Sequence, residues 1–453
     1  MRYHFIAIGG AVMHQLALHL LDSGHHITGS DDAIFDPARL NLQNHGILPE
    51  KYGWYPEKIT TDIDAVILGM HAKADNPELV RAQSLGIKVY SFPEFVYENA
   101  KDKTRIVVAG SNGKTTTTSM IMHQLRCAGY DFDYLVGSKI EGFDYMVKVT
   151  PSAKIIVIEG DEYLTSPLDL RSKFLHYKPH YAIITSIDWD HINVFPTYDS
   201  YLETFKKFIG DVQDTIYYYG QDSALVTLIE QSATSAKKES YLPLSYQSEH
   251  NIPFVVFEEA KYQSSVFGKH NFSNWSAALQ ICKVLGISEK DFYKNMITFS
   301  GAARRMEKVY EHIAKNIVVF RDFAHAPAKL RATVNAAREN YPSHTIIAVF
   351  ELHTFSSMQE NFIPQYHNAM EKCDVAILFM DEKSFAQKGK QIIDKQWLVS
   401  HFGDPQPFVC SQKDELEAIM YPYIAPSSVF LIMSSGHLGG WNYKDLEAKI
   451  ASI

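Results

Sequence analysis

One stretch narrows the folds open to this chain more than any other: Arg105-Ile-Val-Val-Ala-Gly-Ser-Asn-Gly-Lys-Thr-Thr-Thr-Thr118. The β-branched run Ile106 to Val108 reads as a strand and the segment Gly110 to Gly113 as a turn, after which Lys114 and Thr115 open a long helix. That order builds a cradle for nucleotide phosphates, because N–H groups at a helix start point at phosphate oxygens and glycines allow close approach. Gly110, Ser111, Asn112 and Gly113 would supply the backbone of the cradle. Lys114 would meet the outer phosphates, and the Thr115 hydroxyl, with Thr116 beside it, would face Mg²⁺. The loop is shorter than the usual P-loop, whose first glycine would fall at Val108. A glycine turn ending in a solvated lysine is the plain alternative, and the strand context with its Gly-Lys-Thr triplet outweighs it.

The rest of the composition is that of an ordinary globular chain. At 453 residues, a domain size of about 150 residues predicts about three domains. A net charge of −9 argues against broad electrostatic binding of nucleic acid. Cys127, Cys282, Cys373 and Cys410 lie far apart with no Cys-x-x-Cys pair, which disfavours a disulfide scaffold or zinc knot and fits a reducing compartment. No apolar run approaches the ~20 residues that span a bilayer, and the first residues reach Gly9-Gly10 too soon for a signal peptide. A cytoplasmic protein with no membrane span is expected.

Residues 1–102 are expected to form a Rossmann-like first domain. Tyr3 to Ile8 reads as a strand, Gly9-Gly10 as a turn, Val12 to Leu21 as a helix and His26-Ile-Thr-Gly as the next strand, followed by Ser30-Asp31-Asp32. An acid after the second strand is where a ribose can be bound. Gly-x-Gly-x-x-Gly is missing, which weighs against a dinucleotide and leaves a sugar-nucleotide site or a plain αβ layer. Asn76-Pro77-Glu78 should open a helix, and residues 98–104 read as a polar linker.

A second domain, residues 103–300, begins at the phosphate loop. The apolar run Lys154 to Glu159 delivers a carboxylate at its end, and Tyr181 to Ile187 leads into Asp188-Trp-Asp-His191. Ligands bind beyond the carboxyl ends of strands in open α/β sheets. Lys114 with Thr115, Glu159 and His191 are therefore expected at one crevice, as donors to divalent metal and phosphate. Asn271 and Asn274, three apart at a helix start, suit the edge of an adenine, with N-capping as the bland alternative. The charged cluster Lys237-Lys238-Glu239 reads as a solvated loop. In the third domain, residues 301–453, the α/β alternation restarts. Arg305 at the junction could close over a phosphate, and Asp322 and His325 sit between a strand and a helix at Pro327.

Taken together these residues resemble the Mur ligase superfamily, the ATP-dependent amide-bond formers of peptidoglycan synthesis. The resemblance spans essentially the whole chain. It rests on Gly110 to Thr116, on Glu159 in Glu-Gly-Asp-Glu162, on Asp190-His191 and on Gly268 to Asn274. Arg305-Met306-Glu307 and Asp322 to Pro327 complete it. The resemblance implies three α/β domains: a Rossmann-like N-terminal one, a central P-loop ATPase-like one and a Rossmann-like C-terminal one. It implies ATP and Mg²⁺ as cofactors, catalytic roles for Lys114, Glu159 and His191, metal ligation by Thr115, Glu159 and His191, and nucleotide contacts from Asn271, Asn274, Arg305, Asp322 and His325. Its partners would be small molecules, UDP-N-acetylmuramate held by Gly9, Gly10, Ser30 and Asp31, and an amino acid or short peptide. Asp161-Glu162-Tyr163 and Arg171 to Tyr177 are similar to the branch that recycles an L-alanyl-γ-D-glutamyl-meso-diaminopimelate tripeptide, which is favoured over the branch adding L-alanine. Glu351-Leu-His353-Thr-Phe355 carries no arginine where both branches tend to place one. A catalytically silent nucleotide-binding regulator on the same fold and a Rossmann dehydrogenase are the competing classes. Intact Lys114, Glu159 and His191 weigh against the first, and the broken glycine fingerprint against the second.

Overall fold

The computed structural model describes residues 1–70 and 72–452. Its first sheet has four parallel strands in the order His26–Ser30, Arg2–Ile6, Ala65–Leu68, Lys88–Ser91. Parallel strands need crossovers, and here the helices Ala11–Asp22 and Pro77–Ser84 supply two of them. The second starts as its residues suggest: Asn76 accepts from the N–H groups of Glu78 and Leu79, and Pro77 fills the first turn.

The second sheet has seven strands: Lys237–Tyr241, Thr215–Tyr219, Tyr181–Ile184, Thr104–Ala109, Ile155–Glu159, Asp133–Leu135 and Val147–Lys148. Only the last pairs antiparallel. Thr104–Ala109 lies in the middle, flanked by Ile155–Glu159 on one side and Tyr181–Ile184 on the other. The chain changes direction across the sheet at this strand, which is where an α/β sheet opens a crevice. The helix Lys114–Cys127 follows it directly.

Two readings of this region need correction. Lys237-Lys238-Glu239 is no loop but the start of an edge strand paired in parallel with Thr215–Tyr219. Its charges face solvent, the usual protection of an exposed sheet edge. The expected linker at 98–104 is tied down. The Arg105 guanidinium, 3% exposed, donates to the carbonyls of Ala100, Lys101, Lys103, Tyr177 and Lys178.

A small antiparallel sheet, Gln247–Glu249, Ile252–Phe257 and Ala260–Gln263, follows. The final sheet has six strands in the order Glu307–His312, Ile317–Asp322, Ser428–Met433, Thr345–Glu351, Val375–Phe379, Phe408–Cys410. Glu307–His312 is antiparallel to its neighbour and the others are parallel. The last strand inserts between two earlier ones, so Asp322, Glu351 and Met433 end side by side. Apolar clusters cover both faces of this sheet, one including Leu330, Phe350, Tyr366 and Leu431, the other Val349, Phe379, Leu446 and Ile450.

The chain divides into two compact units. One comprises residues 1–187, 197–242 and 277–288, and the other residues 188–196, 243–276 and everything from 289 onward. Among the described residues no helix is long and apolar enough to cross a membrane.

Candidate active site

The phosphate loop is held open by its neighbour strand. Gly110 lies at φ +123° and Gly113 at +78°, both in territory that side chains disfavour. A Cβ on Gly110 would stand 2.3 Å from Thr185 Oγ1 and 2.9 Å from Ser186 N. The Ser111 N–H donates to the Ser186 carbonyl at 3.0 Å, and the Asn112 N–H to Ser186 Oγ at 3.0 Å. The Thr185 hydroxyl donates to the Asn112 carbonyl. Thr185 and Ser186 were not singled out from the sequence, although a polar pair closing an apolar strand next to the loop strand is their signal.

Inside this frame Lys114 Nζ donates to the Gly110 carbonyl at 2.5 Å and to Glu162 Oε2 at 2.7 Å. Burial works against the ammonium, but Glu162 and Asp161 outweigh it and raise its pKa, so Lys114 keeps its charge. Glu162 is fully buried, with the Tyr201 hydroxyl 3.5 Å from its other oxygen. Burial pushes Asp161 up, yet Lys173, 2.6 Å away, and Lys114 hold its carboxyl down at about 2. Glu162 is another residue given no role from the sequence, even though it closes the Glu159-Gly-Asp-Glu162 motif. Thr115 Oγ1 donates to Glu159 Oε1 at 2.8 Å, and Glu159 Oε2 accepts from the Gly137 N–H at 2.7 Å. A hydroxyl and a carboxylate side by side are hard oxygen donors, the chemistry that Mg²⁺ takes, so Thr115 and Glu159 fit that ion. Of the expected catalytic and metal-binding residues, Lys114, Thr115 and Glu159 are thus brought together within one unit.

The N-terminal turn has a different filling. Asp31 Oδ2 accepts from the Gly9 N–H at 2.7 Å. Burial is the main cause that raises the Asp31 carboxyl, helped by Asp32 and opposed by the N–H groups of Gly9 and Ala33. Gly10 precedes the helix Ala11–Asp22, which has no side-chain cap. Ser30 is fully buried, its hydroxyl accepting from Lys58 Nζ at 3.2 Å. Gly9 and Asp31 therefore meet, while Ser30 faces the interior.

The remaining expected residues lie in the second unit. Asn271 and Asn274 are buried on the helix Lys269–Val284, where Asn271 Nδ2 donates to the Phe267 carbonyl at 2.8 Å and Asn274 Nδ2 to Asn271 Oδ1 at 3.5 Å. Arg305 stacks its guanidinium 4.9 Å above the Phe323 ring, between Arg304 and Met306, which adopt φ +57° and +47°. Such backbone is costly for side-chain-bearing residues and persists where surroundings enforce it. Part of that enforcement is Asp322, whose carboxylate accepts from the N–H groups of Met306 and Ala324, each at 2.7 Å, and from the Thr333 hydroxyl at 3.2 Å. Asp322 thus shapes the junction. His325 donates through Nδ1–H to the Phe323 carbonyl at 2.8 Å, and burial together with Lys329 pushes its pKa down to about 3. His191 sits at φ +55°, its N–H donating to Asp190 Oδ1 at 2.8 Å.

At the carboxyl edge of the last sheet, Glu351 is 1% exposed and accepts from the Leu438 N–H at 3.1 Å and from the Ser434 hydroxyl. Burial raises its carboxyl. Burial, with Lys388 and His437 nearby, pushes His353 down to about 4, and the Lys388 ammonium donates to the His353 carbonyl in the stretch that carries no arginine.

A phosphate loop with a charged lysine and a hydroxyl–carboxylate pair, set on parallel α/β sheets, is the arrangement of an enzyme that binds a nucleoside triphosphate. The chain belongs to the Mur ligase family. It matches the Mur ligase family catalytic domain over residues 2–104, the Mur ligase middle domain over 108–282 and the Mur ligase glutamate ligase domain over 304–436. A UDP-N-acetylmuramate–L-alanine ligase of Ligilactobacillus salivarius (strain UCC118) is 32% identical over 365 residues, 78% of this chain and 77% of that protein. Among solved structures, the UDP-N-acetylmuramate–alanine ligase of Thermotoga maritima superposes with TM-score 0.72 at 21% identity, each chain covered at 100%. A murein peptide ligase of Psychrobacter arcticus 273-4 gives TM-score 0.67 at 22% identity, with 99% of each chain covered. The structural likenesses establish the fold. The sequence relatives bear the alanine ligase name, whereas the recycling branch expected from the sequence enters as a structural neighbour.

Proposed function

We propose that this ligase activates the carboxylate of UDP-N-acetylmuramate as an acyl phosphate at the expense of ATP and joins it to the amine of L-alanine. A carboxylate is a poor electrophile, because its leaving group would be oxide, and phosphorylation supplies a better one. Lys114 is the observation that carries the reading: its ammonium is kept charged by Glu162 and stands beside the Thr115–Glu159 pair. In that place it stabilises the transferring phosphoryl group, while the N–H groups of residues 110 to 116 orient the phosphates. Thr115 and Glu159, with His191, would hold Mg²⁺, which would supply positive charge to offset that on the phosphate oxygens. Asn271 and Asn274 take the adenine, and Arg305, positioned by Asp322 and accompanied by His325, takes a phosphate. Gly9, Gly10 and Asp31 bind the sugar nucleotide. Substrates of this kind belong to the cytoplasm.

L-Alanine as acceptor rests on the names of the relatives at 30–32% identity. A second reading, the L-alanyl-γ-D-glutamyl-meso-diaminopimelate tripeptide, is favoured by the segment Asp161 to Tyr177. Here Lys173 pairs with Asp161, the residue preceding the Glu162 that holds Lys114, and Phe174 stacks on Phe208 at 4.5 Å. Ligation assays in parallel, with ATP, Mg²⁺, UDP-N-acetylmuramate and either acceptor, decide by ADP release and product mass. Higher kcat/KM with L-alanine is expected. Preference for the tripeptide installs the second reading, and ADP release with neither acceptor removes both in favour of a silent nucleotide binder.

A further inference from the structure

The segment 188–196 leaves the strand Tyr181–Ile184 yet groups with the second compact unit. Its side chains show how. Asp190 Oδ2 accepts from Lys329 Nζ at 3.2 Å, across 139 residues of sequence, while Asp190 Oδ1 accepts from the His191 N–H at 2.8 Å. One carboxylate therefore bridges an ammonium and the backbone of His191. Ile192 packs against the apolar cluster that includes Leu330 and Tyr366. The turn is closed by the N–H groups of Val194 and Phe195, which donate to the His191 carbonyl at 2.8 and 2.9 Å, and by Trp189 Nε1, which donates to the Phe195 carbonyl at 3.0 Å. Lys329 itself lies in the first turn of the helix Pro327–Asn340. It also donates to His325 Nε2 at 3.3 Å, and His325 is fixed by its own Nδ1–H bond and by the Tyr366 hydroxyl, which donates to the His325 carbonyl at 2.5 Å.

We propose that Lys329 is a positioning residue that sets the place of His191 through Asp190. The Asp190 side chain is 11% exposed, so its charge has little water to lean on, and His325 is 4.0 Å from Oδ2. With its Nδ1–H committed to the Phe323 carbonyl, His325 presents only a lone pair at Nε2 and cannot replace an ammonium. Without Lys329 the carboxylate stays buried with the His191 N–H as its remaining hydrogen-bond donor, a state that proteins relieve by moving the segment that carries it. The left-handed backbone of His191, which needs its surroundings to persist, is the place that gives way. The proposal rests on the reading of His191 as a metal-binding residue of the ligase.

The test compares Lys329→Met and Lys329→Arg with the intact enzyme. Lys329→Met is expected to raise amide hydrogen exchange in residues 188–196 roughly tenfold. It should also weaken Mn²⁺ binding in the presence of ADP, read by electron paramagnetic resonance, and raise the Mg²⁺ needed for half-maximal ligation, each about tenfold, the size seen when a partner behind a metal ligand is removed. Lys329→Arg, which keeps the charge, restores all three. Unchanged exchange in 188–196 overturns the proposal, and so does weaker metal binding with exchange unchanged, since Lys329 would then act on the nucleotide directly. If Lys329→Met does not fold, Asp190→Asn carries the same expectation for exchange and metal binding, and wild-type values there overturn it. A wild-type chain without ligase activity sinks the functional reading but leaves the exchange and Mn²⁺ arms to judge Lys329.

Discussion

Two glycine turns in this molecule share an outline and differ in charge. Gly9-Gly10 follows the strand Arg2–Ile6, and Gly110 to Gly113 follows the strand Thr104–Ala109. Each leads into a helix whose start has no side-chain cap. At the first turn a carboxylate occupies the loop, with Asp31 Oδ2 2.7 Å from the Gly9 nitrogen. At the second the acids stand behind the loop and hold side chains, Glu162 on Lys114 and Glu159 on Thr115. A turn bonded to a carboxylate offers that acid to the hydroxyls of a sugar, whereas a turn fronted by an ammonium suits a phosphate. Strand, glycine and helix start therefore define a cradle, and its neighbours define the ligand.

The largest way to break this contrast is Lys114→Ala. ADP release with both substrates present should fall roughly 10²–10³-fold, the loss typical of a group that stabilises charge in the transition state. The substitution also takes from buried Glu162 the ammonium it pairs with, at a cost of about 3–5 kcal/mol. Adding Glu162→Gln should therefore return stability in denaturant unfolding without returning activity. Turnover near wild type in Lys114→Ala would erase the difference between the two turns. A smaller and more geometric test sets Gly110→Ala against Gly10→Ala. Gly110 has φ +123° and no room before Thr185, so alanine there should cost about 2–4 kcal/mol and weaken ATP binding. Gly10 has φ −58°, and its added Cβ would press on the flexible Met13 side chain at 3.3 Å and meet the Ala7 carbonyl at an ordinary 3.8 Å, so the cost there should stay near about 1 kcal/mol or below. Equal penalties in thermal unfolding would mean that Thr185 and Ser186 do not hold the phosphate loop.

Much of this was legible because the signals are local. The strand–glycine–helix order of residues 105–118, the Asn76-Pro77 helix start and the apolar parallel strands all announce themselves within a few residues. What escaped is non-local or chemically atypical. Thr185 and Ser186 matter only because parallel pairing sets Tyr181–Ile184 beside Thr104–Ala109. The hairpins of the small antiparallel sheet turn on His250-Asn251 and Glu258-Glu259, all four at positive φ, instead of the glycine-bearing pairs that usually mark such turns. Lys237 to Glu239 looked like a loop because edge strands wear charge on purpose. Glu162 was in view within its motif but had no role until Lys114 was seen to lean on it. Lys329 had no signal at all, since its partner Asp190 is 139 residues away.

The smallest effect tests the charges of the two turns by pH. The Asp31 carboxyl is raised, chiefly by burial, so the folded protein binds that proton more tightly than the unfolded chain does. Its ionisation therefore costs stability: the favourable contribution is complete below the ordinary value of 3.8 and is lost as pH rises through the elevated one. Asp31→Asn, whose amide oxygen can still accept from Gly9, should unfold roughly 1–3 °C higher than wild type at neutral pH, with the gap closing in acid. Asp161 beside the phosphate loop runs the other way. Burial opposes its charge but Lys173 and Lys114 prevail, holding it at about 2, so its contribution is present above 3.8 and fades as pH falls toward 2. Asp161→Asn should therefore be less stable than wild type at neutral pH and converge with it in acid. Differential scanning fluorimetry from neutral pH downward reads both gaps, and two gaps of the same sign would show that the acids at the two turns are not in opposite electrostatic settings.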